Sequence, residues 1–297
     1  MIFLGEISAL TAAAIWAASS MMITHVSQKI GSLQTNMARM LVALCFFVAA
    51  ILLFRLPMQL SSVQLFYFVL SSLIGIVLGD TFLFKAFQRI GARISMLIMA
   101  FSPAISALLA WLFLDETLSP LGILGIFVTL GGIALVVLER REQTAQTPHL
   151  SRSGLMYAAL GALGQGVGVI FVKLAFAEGT VNGFVASFLR ILVAAIFLLP
   201  MFFVMKQVRN PLPQILQDKR LMFVIVFSSF LGAFLGITLS LIAIKYTEVG
   251  IASTLMATSP MLMLPLVRIA YNERLSWKAI AGACVAVLGV AMLFLFD

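Results

Sequence analysis

The sequence predicts an all-α membrane protein: ten transmembrane helices arranged as two inverted five-helix repeats. Three observations predict it. Charged residues are too few to face water, apolar runs of spanning length recur along the chain, and the second half repeats the first. Of the 297 residues, 62% are hydrophobic and 10% are charged. A soluble domain carries roughly 25% charged residues, because its surface must be solvated by water. Lipid is therefore the expected solvent, and the bilayer the first partner.

Each apolar run is long enough to cross a hydrocarbon core of about 30 Å as a helix. The expected spans lie near 4–24, 34–54, 65–87, 94–113, 120–138, 154–176, 183–205, 221–243, 249–271 and 276–296. The runs are continuous and rich in Leu, Ala, Met and Phe, not alternating as barrel strands would be. The first run has no Lys or Arg ahead of it and carries Glu6, so it reads as a retained helix rather than a cleaved signal. Gly31-Ser32 closes the first hairpin, Pro57 follows the second span, and Ser119-Pro120 supplies an N-cap with proline at N1. The polar stretch from Glu139 to Ser153 divides the chain into a first repeat (1–138), a linker (139–153) and a second repeat (154–297). Cys45 and Cys284 fall inside apolar runs and are expected to be buried small hydrophobes rather than a disulfide.

The net charge of +8 does not point to nucleic acid. The basic residues sit in short segments between spans, as membrane topology requires. Only Arg55, Lys173, Arg190 and Lys245 lie toward the side bearing the termini, so the charge bias places both termini outside and the other face in the cytoplasm.

Moving the second half back by 157 positions lays Ser228 to Leu295 over Ser71 to Leu138 without a gap. Ser102-Pro103 meets Ser259-Pro260, and Met99-Ala100 meets Met256-Ala257. Glu116 meets Glu273, Gly75 and Gly79 meet Gly232 and Gly236, and Gly125 and Gly132 meet Gly282 and Gly289. Upstream the offset is near 150, and Arg39 aligns with Arg190. Five spans per half is an odd number, so the second half enters the membrane from the opposite side. Such inverted repeats are the architecture many secondary transporters use to expose one site to two compartments in turn.

On these residues the chain resembles the EamA-type members of the drug/metabolite transporter superfamily. The likeness rests on the Ser-Pro of the fourth and ninth spans, the Glu-x-Leu-Ser after each, and the arginine early in the second and seventh. It rests also on the Trp16 region and on the paired glycines. The resemblance implies a central cavity between the halves, lined mainly by spans 1, 3, 4, 6, 8 and 9, in a cell inner membrane. It also implies termini facing the cytoplasm, against the charge bias, which we follow. The function it implies is secondary transport of a small metabolite such as an amino acid, by export. Import or exchange, lipid handling, and a non-transporting scaffold are the alternatives. A polar cavity, a lateral lipid-open groove and a solid centre distinguish carrier, lipid handler and scaffold.

Several residues are candidates for the work. Pro103 and Pro260 sit mid-span, where proline removes a backbone hydrogen bond and frees the carbonyls of Met99 and Met256. Ser102 and Ser259 can answer those carbonyls, and the paired kinks are expected to line the cavity. Asp80 is a carboxylate inside the third span, worth roughly 2.5–3.5 kcal/mol against insertion, and so a candidate for proton coupling, for a counter-ion to a cationic substrate group, or for a structural ion pair with Lys85 or an arginine. Its repeat partner is Ile237, so its role is asymmetric. The glycines of the sixth span (Gly161, Gly164, Gly166, Gly168) make it soft and narrow and are expected to open room for substrate, with Trp16 and Gln165 as candidate cavity contacts at about equivalent depth. Arg39 and Arg190 are expected to snorkel toward the headgroups or, as the alternative, to form gate latches, Arg39 with Glu273 and Arg190 with Glu116, because each pair lies on one side of the membrane. His25 and His149 sit in loops, so no metal constellation, cofactor motif or nucleophile set arises, and no enzymatic chemistry is expected.

Overall fold

The computed structural model describes residues 3–116, 119–139, 151–204, 211–259, 261–262 and 276–296. Every regular element among them is a helix. Helix α1 (Leu4–Ile30) ends at Gly31, whose φ of 99° is open to glycine and which also starts α2 (Ser32–Phe54). Arg55, in the left-handed region, closes α2. A capping box between Ser61 and Gln64 opens α3 (Ser62–Gly91). Gly91, at φ 76° and ψ 162°, then turns the chain into α4 (residues 92–99). After a break at 100–101 come α5 (Ser102–Phe113) and α6 (Pro120–Glu139).

The second half begins with α7 (Arg152–Ala177) and α8 (Gly183–Val204), followed by the short α9 (Leu212–Gln217). Helix α10 (Lys219–Tyr246) is capped by Asp218, which accepts from the Leu221 backbone N–H at 2.9 Å. That bond, with Lys29 at 3.1 Å, holds the Asp218 carboxyl below the usual carboxylate range. Helices α11 (Val249–Met256) and α12 (Trp277–Phe296) complete the described elements.

Among the described residues six helices are long and apolar enough to span a membrane: α1, α2, α3, α7, α8 and α10. Shorter apolar helices lie at Ser102–Phe113, Pro120–Leu135 and Ile280–Met292. The outer surface carries large apolar side chains such as Leu52, Leu53, Phe54, Phe113 and Phe127, the inverse of a water-facing surface. Cys45 and Cys284 are free thiols exposed on this apolar surface, not buried as expected. With its apolar helices, the molecule is a multi-pass membrane protein.

The mid-span proline kink expected at Pro103 is not what forms. The fourth apolar run breaks into two helices, and Pro103 occupies the first turn of α5. There its missing N–H costs nothing, since first-turn N–H groups have no helical partner. Pro260 lies outside the described residues, although Ser259 Oγ does donate to the Met256 carbonyl at 2.9 Å.

The halves interlock. Helix α1 packs on α10 and α11, while α7 packs on α3 and α5. Helices α2 and α8 meet near the centre, and α6 and α12 form a separate tight pair. The glycines of α7 serve this packing, not the opening of space. A Cβ on Gly164 would fall 2.8 Å from the Ile74 carbonyl oxygen, and one on Gly168 3.0 Å from the Gly75 Cα. Such close backbone approach is what small residues at helix crossings permit.

Candidate functional site

Helices α3 and α10 are each π-helical in the middle, over Ser72–Asp80 and Ser229–Gly236. These stretches start at repeat-equivalent positions. A π-helical turn widens the ladder and marks functional sites in many helices. Here side chains of the opposite half reach its carbonyls. Gln165 Nε2 on α7 donates to Gly75 O at 3.1 Å, and Trp16 Nε1 on α1 donates to Gly232 O at 3.2 Å. Gln165 and Trp16 are themselves aligned by the repeat, so the two bonds form a pseudo-symmetric pair across the halves.

Between these contacts lies a cavity of about 200 Å³. Trp16, Asp80, Ser102, Pro103, Gln165, Met256 and Ser259 all line it. The volume is below the roughly 300–1,000 Å³ of sites for drug-sized ligands, and so matches a small solute. Sequence reasoning missed the hydroxyls of Ser19, Ser20, Ser240 and Ser253 and the aromatic wall of Phe84 and Phe87. Serines at helical spacing inside apolar runs are the signal that could have found them.

The electrostatic centre is Asp80. Its Oδ1 accepts from Gln165 Nε2 at 2.7 Å, and its Oδ2 lies 3.9 Å from Arg39 Nη1. Arg39 stacks its guanidinium over Phe84, 5.1 Å from the ring centroid. Arg190 lines the same cavity, and its Nη2 lies 3.2 Å from where a Cβ on Gly75 would stand. A larger residue there would press the guanidinium aside by a few tenths of an ångström. The equivalent approach brings Arg39 Nη2 within 3.5 Å of a Cβ on Gly232. Both arginines are buried, at 5% and 6% exposure.

The arginines therefore belong to the centre, and the expected latch between Arg190 and Glu116 is not made. Arg190 lies seven residues into α8, about 10 Å from its start at 1.5 Å per residue, whereas Glu116 stands beyond the end of α5. Glu116 instead meets Lys173, near the end of α7, at 3.0 Å and accepts from the Val249 N–H at 2.8 Å. Lys173 also donates to Thr247 O at 2.9 Å. Glu116 thus does tie the two halves, through a different cation. Glu273, the expected partner of Arg39, lies outside the described residues.

These features define a multi-pass membrane protein with a cavity between its two halves whose wall carries charged side chains. The model of the EamA-like transporter family matches residues 3–138 and again residues 152–295, and the chain belongs to that family of membrane transporters for small solutes. A solved crystal structure of a protein superposes with a TM-score of 0.77 at 16% identity, covering 98% of this chain and 96% of that one. At that identity the likeness establishes the fold. No curated protein sequence matches the chain.

Proposed function

We propose that the chain is a secondary transporter that carries a small metabolite through the central cavity by alternating access. The family match supports transport. The observation that carries the mechanism is the cavity itself, reached by equivalent residues of both halves and crossed by the paired bonds Trp16 to Gly232 and Gln165 to Gly75. Two halves, 1–138 and 154–297 around a linker, are supported by the twofold family match. Ten spans follow if the α4–α5 pair counts as one broken span and α11 begins the ninth, with the halves inverted. In this account the cytoplasmic face is the basic one, the membrane is the cell inner membrane, and export is the direction.

The cavity is of a size for an amino acid or a related metabolite. Asp80 is the proton-coupling residue: its protonation removes the counter-charge of Arg39 and Arg190 and so changes what the cavity holds. The two carriers of the access change are the π-helical stretches, each with one carbonyl, Gly75 O and Gly232 O, that accepts from a side chain of the opposite half.

Cysteine labelling tests alternating access. In a variant freed of Cys45 and Cys284, Ser102→Cys should react with a membrane-impermeant thiol reagent from either face. An imposed gradient of transported solute should shift the preferred face. Reaction from one face under every condition sinks the alternating-access reading.

A further inference from the structure

The site's own chemistry narrows the substrate, and this step rests on the transporter reading. Three charged side chains line the cavity among the described residues: Arg39, Arg190 and Asp80. Two cations face one anion, so the cavity carries a net charge of one positive unit. A buried charge left uncompensated in a low-dielectric site is strongly unfavourable.

The hydrogen-bonding inventory points the same way. Arg39 Nε and Nη1 and Arg190 Nε are buried and have no hydrogen-bond partner. Ser253 Oγ, also lining the cavity, is buried and unpartnered too. Asp80 does not satisfy these donors. Its shorter bond goes to Gln165 at 2.7 Å, while Arg39 stands 3.9 Å away, beyond hydrogen-bond length. Buried polar groups in folded proteins almost always have partners, so a set of unpartnered donors around one cavity marks a missing acceptor. Guanidinium groups present planar forks that match carboxylate and phosphate oxygens. Beside the serine hydroxyls and Gln165, the wall includes Ile23, Leu83, Phe87, Met96 and Met99, an apolar lining for the body of the solute.

We propose that this transporter carries a small organic anion, with its oxyanion head held by Arg39 and Arg190 and its apolar body against the Met and Phe wall. Asp80 is then an internal counter-ion competing with the substrate for the same guanidinium donors. A zwitterion would leave the spare cation half answered, and an amine would meet two like charges.

The test is binding to the purified full-length chain in detergent. It uses four probes of one carbon skeleton: isocaproate, leucine, isoamylamine and isoamyl phosphonate. Isothermal titration gives affinities, and Trp16 in the cavity wall provides a fluorescence readout. The wild type should bind isocaproate or the phosphonate at least about tenfold more tightly than leucine, with no response to the amine. The two anion arms separate a carboxylate head from a phosphate-like one. Arg39→Gln should erase the anion preference by about tenfold or more, and Arg39→Lys should keep the charge but lose part of the affinity. The wild-type ranking stands without any variant. Tighter binding of leucine or the amine overturns the anion assignment and leaves the transporter reading intact. Binding of none of the four also overturns it, while cysteine labelling decides the transporter reading separately.

Discussion

Asp80→Asn is expected to lower the stability of the purified protein by about 3 kcal/mol and to stop its turnover. The substitution keeps the shape and the Gln165 contact but removes the one anion that, among the described residues, faces Arg39 and Arg190. Removing one member of a buried ion pair typically costs about 3–5 kcal/mol, because the remaining charge stays buried without compensation. The lower end is appropriate here, since the Arg39–Asp80 separation of 3.9 Å is long. Thermal unfolding in detergent measures the first effect, and solute flux the second. An unchanged melting curve would show that the two arginines are balanced by something other than Asp80.

The second large effect concerns the α6–α12 pair, far from the charges. A Cβ on Gly132 would stand 2.3 Å from Ala286 N and 2.7 Å from Gly282 O, both backbone atoms. Its counterpart Gly289 is as tight, with Thr129 N at 2.4 Å. No rotamer relieves a clash with backbone, so Gly132→Ala must separate the helices. A loss toward the upper end of the roughly 1–3 kcal/mol seen for overpacked cores follows. Gly131 supplies the control: a Cβ there meets nothing within 4 Å. Gly131→Ala should therefore melt at the wild-type temperature or slightly above, alanine being the better helix former. Equal behaviour of the two variants would refute the packing account.

Much of this was legible in the sequence, for reasons that particular residues make plain. Hydropathy shows the solvent directly, the repeat registers Gly132 with Gly289 before any coordinates are known, and Trp16 and Gln165 stand at about equivalent depth in their spans. The membership of Asp80, Ser102 and Gln165 in one cavity follows from polar residues needing a polar place inside lipid. Depth was harder to read. Arg190 and Glu116 lie toward the same face, yet a side chain seven residues into a helix cannot be told from a gate residue until the helix start is fixed. Lys173, four residues before the end of α7, is at the level of Glu116, and its sequence surroundings carry no mark of that. The π-helical stretches were also hidden. A π-helical stretch inside a run that is apolar throughout leaves no mark in the hydropathy pattern, and the carbonyls that Gln165 and Trp16 bind, Gly75 O and Gly232 O, lie in these stretches. The break before α5 was invisible because Ser-Pro fits both a kinked helix and a new first turn.

The most direct test of the carrier account is solute flux into proteoliposomes containing the purified chain. The panel should combine amino acids, amines, hydroxylated carboxylates and nucleotide sugars, each with and without a pH gradient. The account predicts saturable flux of at least one solute, accelerated by the gradient in the wild type and lost in Asp80→Asn. Flux across the whole panel no greater than in protein-free liposomes, under either condition, would contradict it.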